Sequence, residues 1–325
     1  MKDSWLCRDY RSGDEHQILS LYEQVTGREM SLDFWKWRYA ENPFGKGIIK
    51  LVFDGDKLIA HNPAIPMPVL VQGIPVPAAI LLNTLTHPDY RGLGISTYQH
   101  AVLYKEAAQR GIQFIYNFPN PAGYALCLKL EDWQVVDQIS VYQKRLKTEP
   151  SRRTLKYSGI CQVEEFDERV NSFWDRVKGN YRVIVPRVRE FLNWRFVRNP
   201  AVEYTKYLFT SSQNEVLGYM VLKIYSGKDE TKGNIVDILS VDDEVILEEF
   251  LECAYDYFSR NKIQNVSSWA PEHSPWADLL RRKGFVKEST ETHFGLRILD
   301  KQNSLLKEVE HIENWYLTMG DSDVF

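Results

Sequence analysis

Two hydrophobic periods alternate along the chain. A strand is predicted near Trp5–Tyr10, and Ile18, Leu19, Leu21, Tyr22 and Val25 then recur at helical spacing, which predicts a helix over Asp14–Thr26. A second helix is predicted over Leu32–Tyr39. Strands follow at Ile48–Phe53, Leu58–Val71 and Ile74–Thr86, with Asp54-Gly55-Asp56 and Gln72-Gly73 as hairpin turns, so this stretch reads as an antiparallel meander. A helix over Ser96–Arg110 closed by Gly111, and a strand over Ile112–Phe118, come next. Another helix and strand finish the run.

The same order then repeats. Phe34-Trp35-Lys36-Trp37-Arg38-Tyr39-Ala40-Glu41-Asn42-Pro43 recurs as Phe191-Leu192-Asn193-Trp194-Arg195-Phe196-Val197-Arg198-Asn199-Pro200. Two later matches keep the order: Gly111-Ile112-Gln113-Phe114 with Lys262-Ile263-Gln264-Asn265, and the run from Leu128 to Val135 with that from Leu280 to Val286. Collinear matches of this kind predict two copies of one domain. In copy two, strands are predicted at Tyr204–Thr210, Val216–Ile224, Ile235–Val241 and Ile263–Trp269, with helices at Glu244–Arg260 and Pro275–Arg282. The expected division is a domain over residues 1–147, a linker at 148–155 within a polar, Pro150-containing stretch, a domain over 156–300 and a tail over 301–325. The fold class is α/β (α+β): two tandem domains, each a mixed, mostly antiparallel twisted sheet flanked by helices. The repeated Trp37-Arg38 and Trp194-Arg195 pairs are expected to be structural, with tryptophan in the core and arginine on backbone carbonyls.

Composition narrows the partners more than the fold. A chain that is 44% hydrophobic and 26% charged suits packed globular domains, and a formal net charge of −4 gives no global field for nucleic acid, so none is expected. Cys7, Cys127, Cys161 and Cys253 form no C-x-x-C pair, which argues against a zinc site or disulfide framework and for a reducing cytoplasm. The N-terminus does not read as a secretory signal, and prolines break the most apolar stretch, Leu58–Leu82, so no membrane segment is expected. His61, His87 and His273 lack a second ligand at metal-binding spacing; no metal is expected, and these rings are assigned to loops or surface.

One local motif carries chemistry. Leu85-Thr86-His87-Pro88-Asp89-Tyr90-Arg91-Gly92-Leu93-Gly94-Ile95-Ser96-Thr97 runs from a strand end into a helix. Gly92 and Gly94 let the backbone turn and approach a ligand, while the helix start offers N–H groups and its positive dipole end to an anion. Arg91, Ser96 and Thr97 can add side-chain donors. The absence of Gly-Lys-Ser/Thr excludes a Walker A loop, and the preceding meander excludes a Rossmann unit.

These residues resemble the signature of the GNAT superfamily of N-acetyltransferases, Arg/Gln-x-x-Gly-x-Gly/Ala, with Ser96 at the final small position. The tandem layout is similar to that of mycothiol synthase and of the enhanced-intracellular-survival type of acetyltransferase. The resemblance implies acetyl-CoA, or another acyl-CoA, as cosubstrate, held by Leu85, Thr86, Arg91, Gly92, Leu93, Gly94, Ile95, Ser96 and Thr97, with Asn120 as a further contact. It also implies a splay between the two neighbouring strands that admits the pantetheine arm. In copy two the matching stretch is Leu239-Ser240-Val241-Asp242-Asp243-Glu244-Val245, without glycine and with three carboxylates that would repel a pyrophosphate. That copy is read as a degenerate GNAT-like domain.

Acyl transfer to an amine needs removal of a proton and a donor to the leaving thiolate. The family's helix tyrosine falls on Cys127, and Tyr124, three residues earlier on the same face, is the candidate general acid. No carboxylate lies on the strand with Asn83 and Thr84, so the resemblance brings in the tail: Asp321, Asp323 or the carboxylate of Phe325 as base. The run Arg176, Lys178, Arg182, Arg187, Arg189 and Arg195 is either a solvated face or a site for an anionic acceptor such as a nucleotide-linked sugar. The expected function is transfer of an acyl group, acetyl first, to the primary amine of a small molecule or amino sugar. The alternatives are a CoA- or ligand-sensing protein without turnover, and an aminoacyl ligase of the peptidoglycan-bridge type. The sequence fixes no oligomeric state.

Overall fold

The structure, a computed structural model, describes residues 5–146, 159–227, 230–288 and 290–323. The linker expected at 148–155, and Phe325, lie outside them. In chain order the first half forms β1 (Trp5–Asp9), α1 (Glu15–Thr26), α2 (Leu32–Tyr39), β2 (Ile48–Asp54), β3 (Lys57–Pro66), β4 (Val69–Val71), β5 (Ile74–Val76), β6 (Ala78–Leu81), β7 (Leu85–Thr86), α3 (Ile95–Gln109), β8 (Phe114–Asn117), α4 (Pro121–Cys127) and β9 (Gln134–Gln138). The chain continues with β10 (Val141–Arg145), the last strand of the first half, and then β11 (Ile160–Val163), α5 (Arg169–Val177), β12 (Val183–Ile184), α6 (Arg189–Phe196), β13 (Thr205–Thr210), β14 (Val216–Ser226), β15 (Thr231–Ser240), α7 (Glu244–Arg260), β16 (Asn265–Trp269), α8 (Pro275–Arg282), β17 (Val286–Glu288), β18 (His293–Ile298) and β19 (Trp315–Tyr316).

Helix starts follow local chemistry. Ser31 caps α2 by accepting from the Phe34 N–H, and Ser274 caps α8 from Ala277 with Pro275 at the first helical position. The stretch Leu58–Val71, expected as one strand, is two: pairing passes from β3 to β4 across Met67-Pro68, where proline supplies no N–H to a ladder.

The chain divides into two compact units, and neither is a contiguous span. Unit 1 holds residues 1–69, 75–137 and 292–310; unit 2 holds 70–74, 138–291 and 311–325. The sheet of unit 1 runs β1-β2-β3-β6-β8-β18-β9, with β7 paired to β3, and the sheet of unit 2 runs β11-β13-β14-β15-β16-β10-β17. Each sheet therefore takes one strand from the other half of the sequence. β18 pairs antiparallel with β8, Gly295 opposite Asn117, and β10 pairs antiparallel with β16, Val141 opposite Trp269. The division at residues 147 and 156 differs from this arrangement because the alternation in a strand fixes which face is buried, not which sheet it joins.

In unit 1, α3 packs Leu103, Tyr104 and Ala107 on Ile48, Ala64, Ala79, Leu81 and Ile115. In unit 2, α7 and α8 pack Phe250, Phe258, Trp276 and Leu280 on Met220, Leu222, Ile235 and Ile238. Trp37 and Trp194 are both buried. Arg195 donates to the carbonyls of Gly320 and Ser322, whereas Arg38 lies over the rings of Phe34 and Trp37. No helix among the described residues is long and apolar enough to cross a membrane, and no group of three or more His, Cys, Asp or Glu among them is placed to hold a metal ion.

Candidate active site

The site in unit 1 begins where two parallel strands part. β6 and β8 pair from Ala78 opposite Phe114 to Ile80 opposite Tyr116, and the pairing stops there. β6 then breaks at Leu82–Thr84, and the chain rejoins β3 as β7 with its register moved by one residue, a bulge whose centre, Asn83, has φ +47°. The Asn83 side chain donates to the Tyr39 hydroxyl at 3.1 Å, its carbonyl meets Nδ1 of His61 at 3.2 Å, and the Thr84 hydroxyl donates to Asn62 at 2.9 Å. His61 is thus a core residue of β3, not a loop or surface ring; burial pushes its pKa down to about 4, which keeps it neutral.

The glycine loop follows directly. His87 caps the 3₁₀ turn Pro88–Tyr90 by accepting from the Asp89 N–H, and the Tyr90 hydroxyl donates to Asp54 at 3.0 Å, so the turn is pinned to β2. Gly92 and Gly94 have φ of +77° and +80°, a region open to glycine and costly for most residues. Arg91, Gly92, Leu93 and Gly94 are all exposed, while Ile95 is buried against Trp5, Val52, Ile59 and Ala60. The buried isoleucine anchors the start of α3, and no side chain caps its first-turn N–H groups. Leu85 is buried and Thr86 half-buried; the Thr86 carbonyl accepts from Nε of Arg91 at 3.4 Å, and Thr97 is exposed. Ser96 is half-buried, and its carbonyl meets Nδ1 of the buried His100 at 2.7 Å.

The end of β8 gathers the remaining candidates. Asn117 donates to Sγ of Cys127 at 3.3 Å and accepts from Nε1 of Trp133 at 3.0 Å. Cys127 is buried and its thiol is pushed up by that burial, which disfavours the thiolate. Asn120 uses its side-chain oxygen to cap α4, accepting from Gly123 at 2.8 Å, which commits that oxygen within the protein. Tyr124 is half-buried, its ring stacked on His293. An open cleft of about 380 Å³ lies elsewhere in unit 1, lined by Asp132, Trp133, Lys301 and Lys307 among others, and no residue of the glycine loop lines it.

Unit 2 repeats the frame with different contents. β15 pairs in parallel with β16 only as far as Ile235 opposite Ser268, and its register on β14 shifts by one residue between Val221 and Leu222. The helix that follows, α7, starts at Asp243, whose own carboxylate accepts from the Val245 N–H at 2.9 Å. Beyond the splay, Asp237 lies in a buried cluster with Arg187, Tyr219, Thr318 and Asp321: Arg187 meets Asp237 at 3.0 Å and Asp321 at 2.8 Å, and the Tyr219 and Thr318 hydroxyls donate to Asp237 at 2.9 Å. Burial raises the Asp237 pKa, with Arg187 opposing. Asp321 is consequently an internal ion-pair partner in unit 2. Asp323, two residues on, is half-buried.

The basic run also resolves into separate pieces. Arg187 and Arg195 are buried in unit 2, Arg176 pairs with Glu215, Lys178 with Asp175 and Arg189 with Glu168. These five are thus engaged in the interior of unit 2 or in surface ion pairs.

Residues 7–126 match the model of the acetyltransferase (GNAT) domain. The chain carries a GNAT-type domain over that span. The GNAT match covers the splay, the glycine loop, α3, β8 and nearly all of α4. Among solved structures, the chain is similar to a conserved Enterococcus faecalis V583 protein described as a probable N-acyltransferase, at 16% identity and TM-score 0.72, covering 92% of this chain and 73% of that one. It is also similar to a GCN5-related N-acetyltransferase from Anabaena variabilis, at 14% identity and TM-score 0.68, covering 91% and 73%. A third likeness is to Saccharomyces cerevisiae N-myristoyltransferase with bound myristoyl-CoA, at 12% identity and TM-score 0.64, covering 92% and 80%. At such identities the likeness is one of fold. None of the curated proteins matches the chain.

Proposed function

We propose that this GNAT chain is an acyl-CoA-dependent N-acyltransferase that moves an acetyl group from acetyl-CoA to the primary amine of a small molecule, with one cosubstrate site, in unit 1. The observation that carries the reading is the exposed loop Arg91–Gly94, which leads into α3 with no side-chain cap soon after β6 and β8 part. A pyrophosphate suits that position because free N–H groups and the helix dipole both favour an anion. Arg91, Ser96 and Thr97 flank it as side-chain donors, and the gap between the strands receives the pantetheine arm.

In the reaction the neutral amine attacks the thioester carbonyl; the C–N bond forms, the C–S bond breaks and the amine gives up one proton to solvent. The leaving sulfur takes a proton from the Tyr124 hydroxyl, which regains one from solvent, and departs as free CoA. Tyr124 is assigned this role because Cys127, at the family's tyrosine position, is buried and bonded to Asn117. That same departure supports a second reading, in which the chain binds CoA without turnover.

Two measurements test the proposal. Calorimetric titration with CoA is expected to show one site per chain, and Gly94→Asp, which sets a carboxylate beside the pyrophosphate, is expected to weaken it about 100-fold. Unchanged affinity would exclude this loop as the cosubstrate site. Release of free CoA with a panel of primary amines then separates an enzyme from a sensor.

A further inference from the structure

The exchanged strand β18 brings a residue of the second half of the sequence to the end of β8. His293, its first residue, lies face to face with Tyr124: ring centroids are 3.8 Å apart and the planes 11° from parallel. Trp133 meets the same Tyr124 ring edge-on at 6.2 Å and 74°. The tryptophan is itself held, its Nε1 donating to Asn117, and it fills space that a side chain at residue 295 would occupy: a Cβ on Gly295 would lie 1.9 Å from the Trp133 ring. Gly295 pairs with Asn117 across β8 and β18, so the seat of the strand, the tryptophan and the stacked histidine are set by one register.

A tyrosine ring clamped on one face and one edge has little freedom about its side-chain torsions, so the direction of its hydroxyl is fixed before any ligand arrives. We infer that His293 is a positioning residue for Tyr124: its ring orients the phenol toward the cosubstrate sulfur, and unit 1 is incomplete as a transfer site without β18. The inference rests on the proposed role of Tyr124. It predicts that the flat ring matters and the ring nitrogens do not.

The test compares CoA with desulfo-CoA by titration calorimetry, which needs no acceptor. The wild-type chain is expected to bind CoA about tenfold more tightly than desulfo-CoA, the effect of one hydrogen bond to sulfur. That preference should vanish in Tyr124→Phe and in His293→Ala, and persist in His293→Phe. His293→Thr, a ringless residue suited to a strand, is a second variant if alanine unseats β18, and a thermal melt of each reports folding. A preference that survives loss of the ring, or that is lost in His293→Phe, would overturn the inference. So would a wild-type chain with no preference, since the hydroxyl would then not touch sulfur. Failure of the wild-type chain to bind CoA at all would instead overturn the proposed function.

Discussion

The starts of α3 and α7 stand at the same place in two copies of one frame: each follows a strand that carries a one-residue bulge and has just left its parallel neighbour. At α3 the chain offers two exposed glycines in left-handed backbone and no carboxylate on the helix N–H groups. At α7 Asp243 bonds to Val245 with its own carboxylate, and Asp242 and Glu244 stand beside it. The difference teaches that the helix terminus is a general anion site, and that the residue at its cap decides whether the anion comes from outside or from the chain. On the proposed reading, a domain keeps its topology and loses its ligand through a change of about three residues.

The largest expected effect lies beyond the splay of unit 2. Arg187 is the cation between Asp237 and Asp321, all three buried, so Arg187→Met leaves two carboxylates without it. The loss is expected to be about 3–5 kcal/mol, read as a lower urea midpoint together with faster proteolysis within residues 311–323. A shift under about 1 kcal/mol would show that the cluster does not hold the tail.

Acid should next separate the units. In unit 1, burial lowers His61 and His100 from an ordinary 6.5 to about 4. Because their folded pKa lies below the unfolded one, the unfolded chain takes up protons first as pH falls. Their contribution is complete above about pH 6.5 and is lost toward pH 4, on the order of 3 kcal/mol per ring. Asp237 in unit 2 has the opposite sign: its pKa is raised, so its contribution is present below its ordinary value and drains as pH rises through the raised one. Amide exchange at pH 5 against pH 7.5 should show unit 1 losing protection ahead of unit 2, and equal loss in both would contradict this.

Asp243→Ala is the mildest probe. It removes the cap of α7 at an expected cost of about 1 kcal/mol in thermal unfolding. It should create no second CoA site in calorimetry, because the glycine turn is still missing. A second site appearing would mean that capping alone distinguishes the copies.

Much of the frame is legible in the sequence. The bounds of α2, α7 and α8 agree with their sequence patterns residue for residue, since serine or aspartate caps, a proline at the first turn and helical spacing are local signals. The glycine loop was legible for the same reason, and so was the contrast with Asp242-Asp243-Glu244. What the sequence could not show depends on distant pairing. Arg187 reads as one of a row of cations, and only the tail folding back on Asp237 makes it a buried centre. His61 reads as an isolated ring, because its partner is a backbone carbonyl in the break between β6 and β7. His293 gave no signal at all, since its strand pairs with β8, far away in the sequence.

The exchange of β10 and β18 bears on how the chain is made. When residues 5–146 have left the ribosome, β8 and β9 are present but the strand that lies between them is not. At usual elongation speeds that slot waits roughly eight to thirty seconds for His293–Ile298. The nascent first half therefore carries two open strand edges for that interval, a natural substrate for a chaperone and a hazard for neighbouring chains on the same message. Cutting the gene between the repeats would make this interval permanent, so fragments split there should recover a native first sheet only when both are produced together.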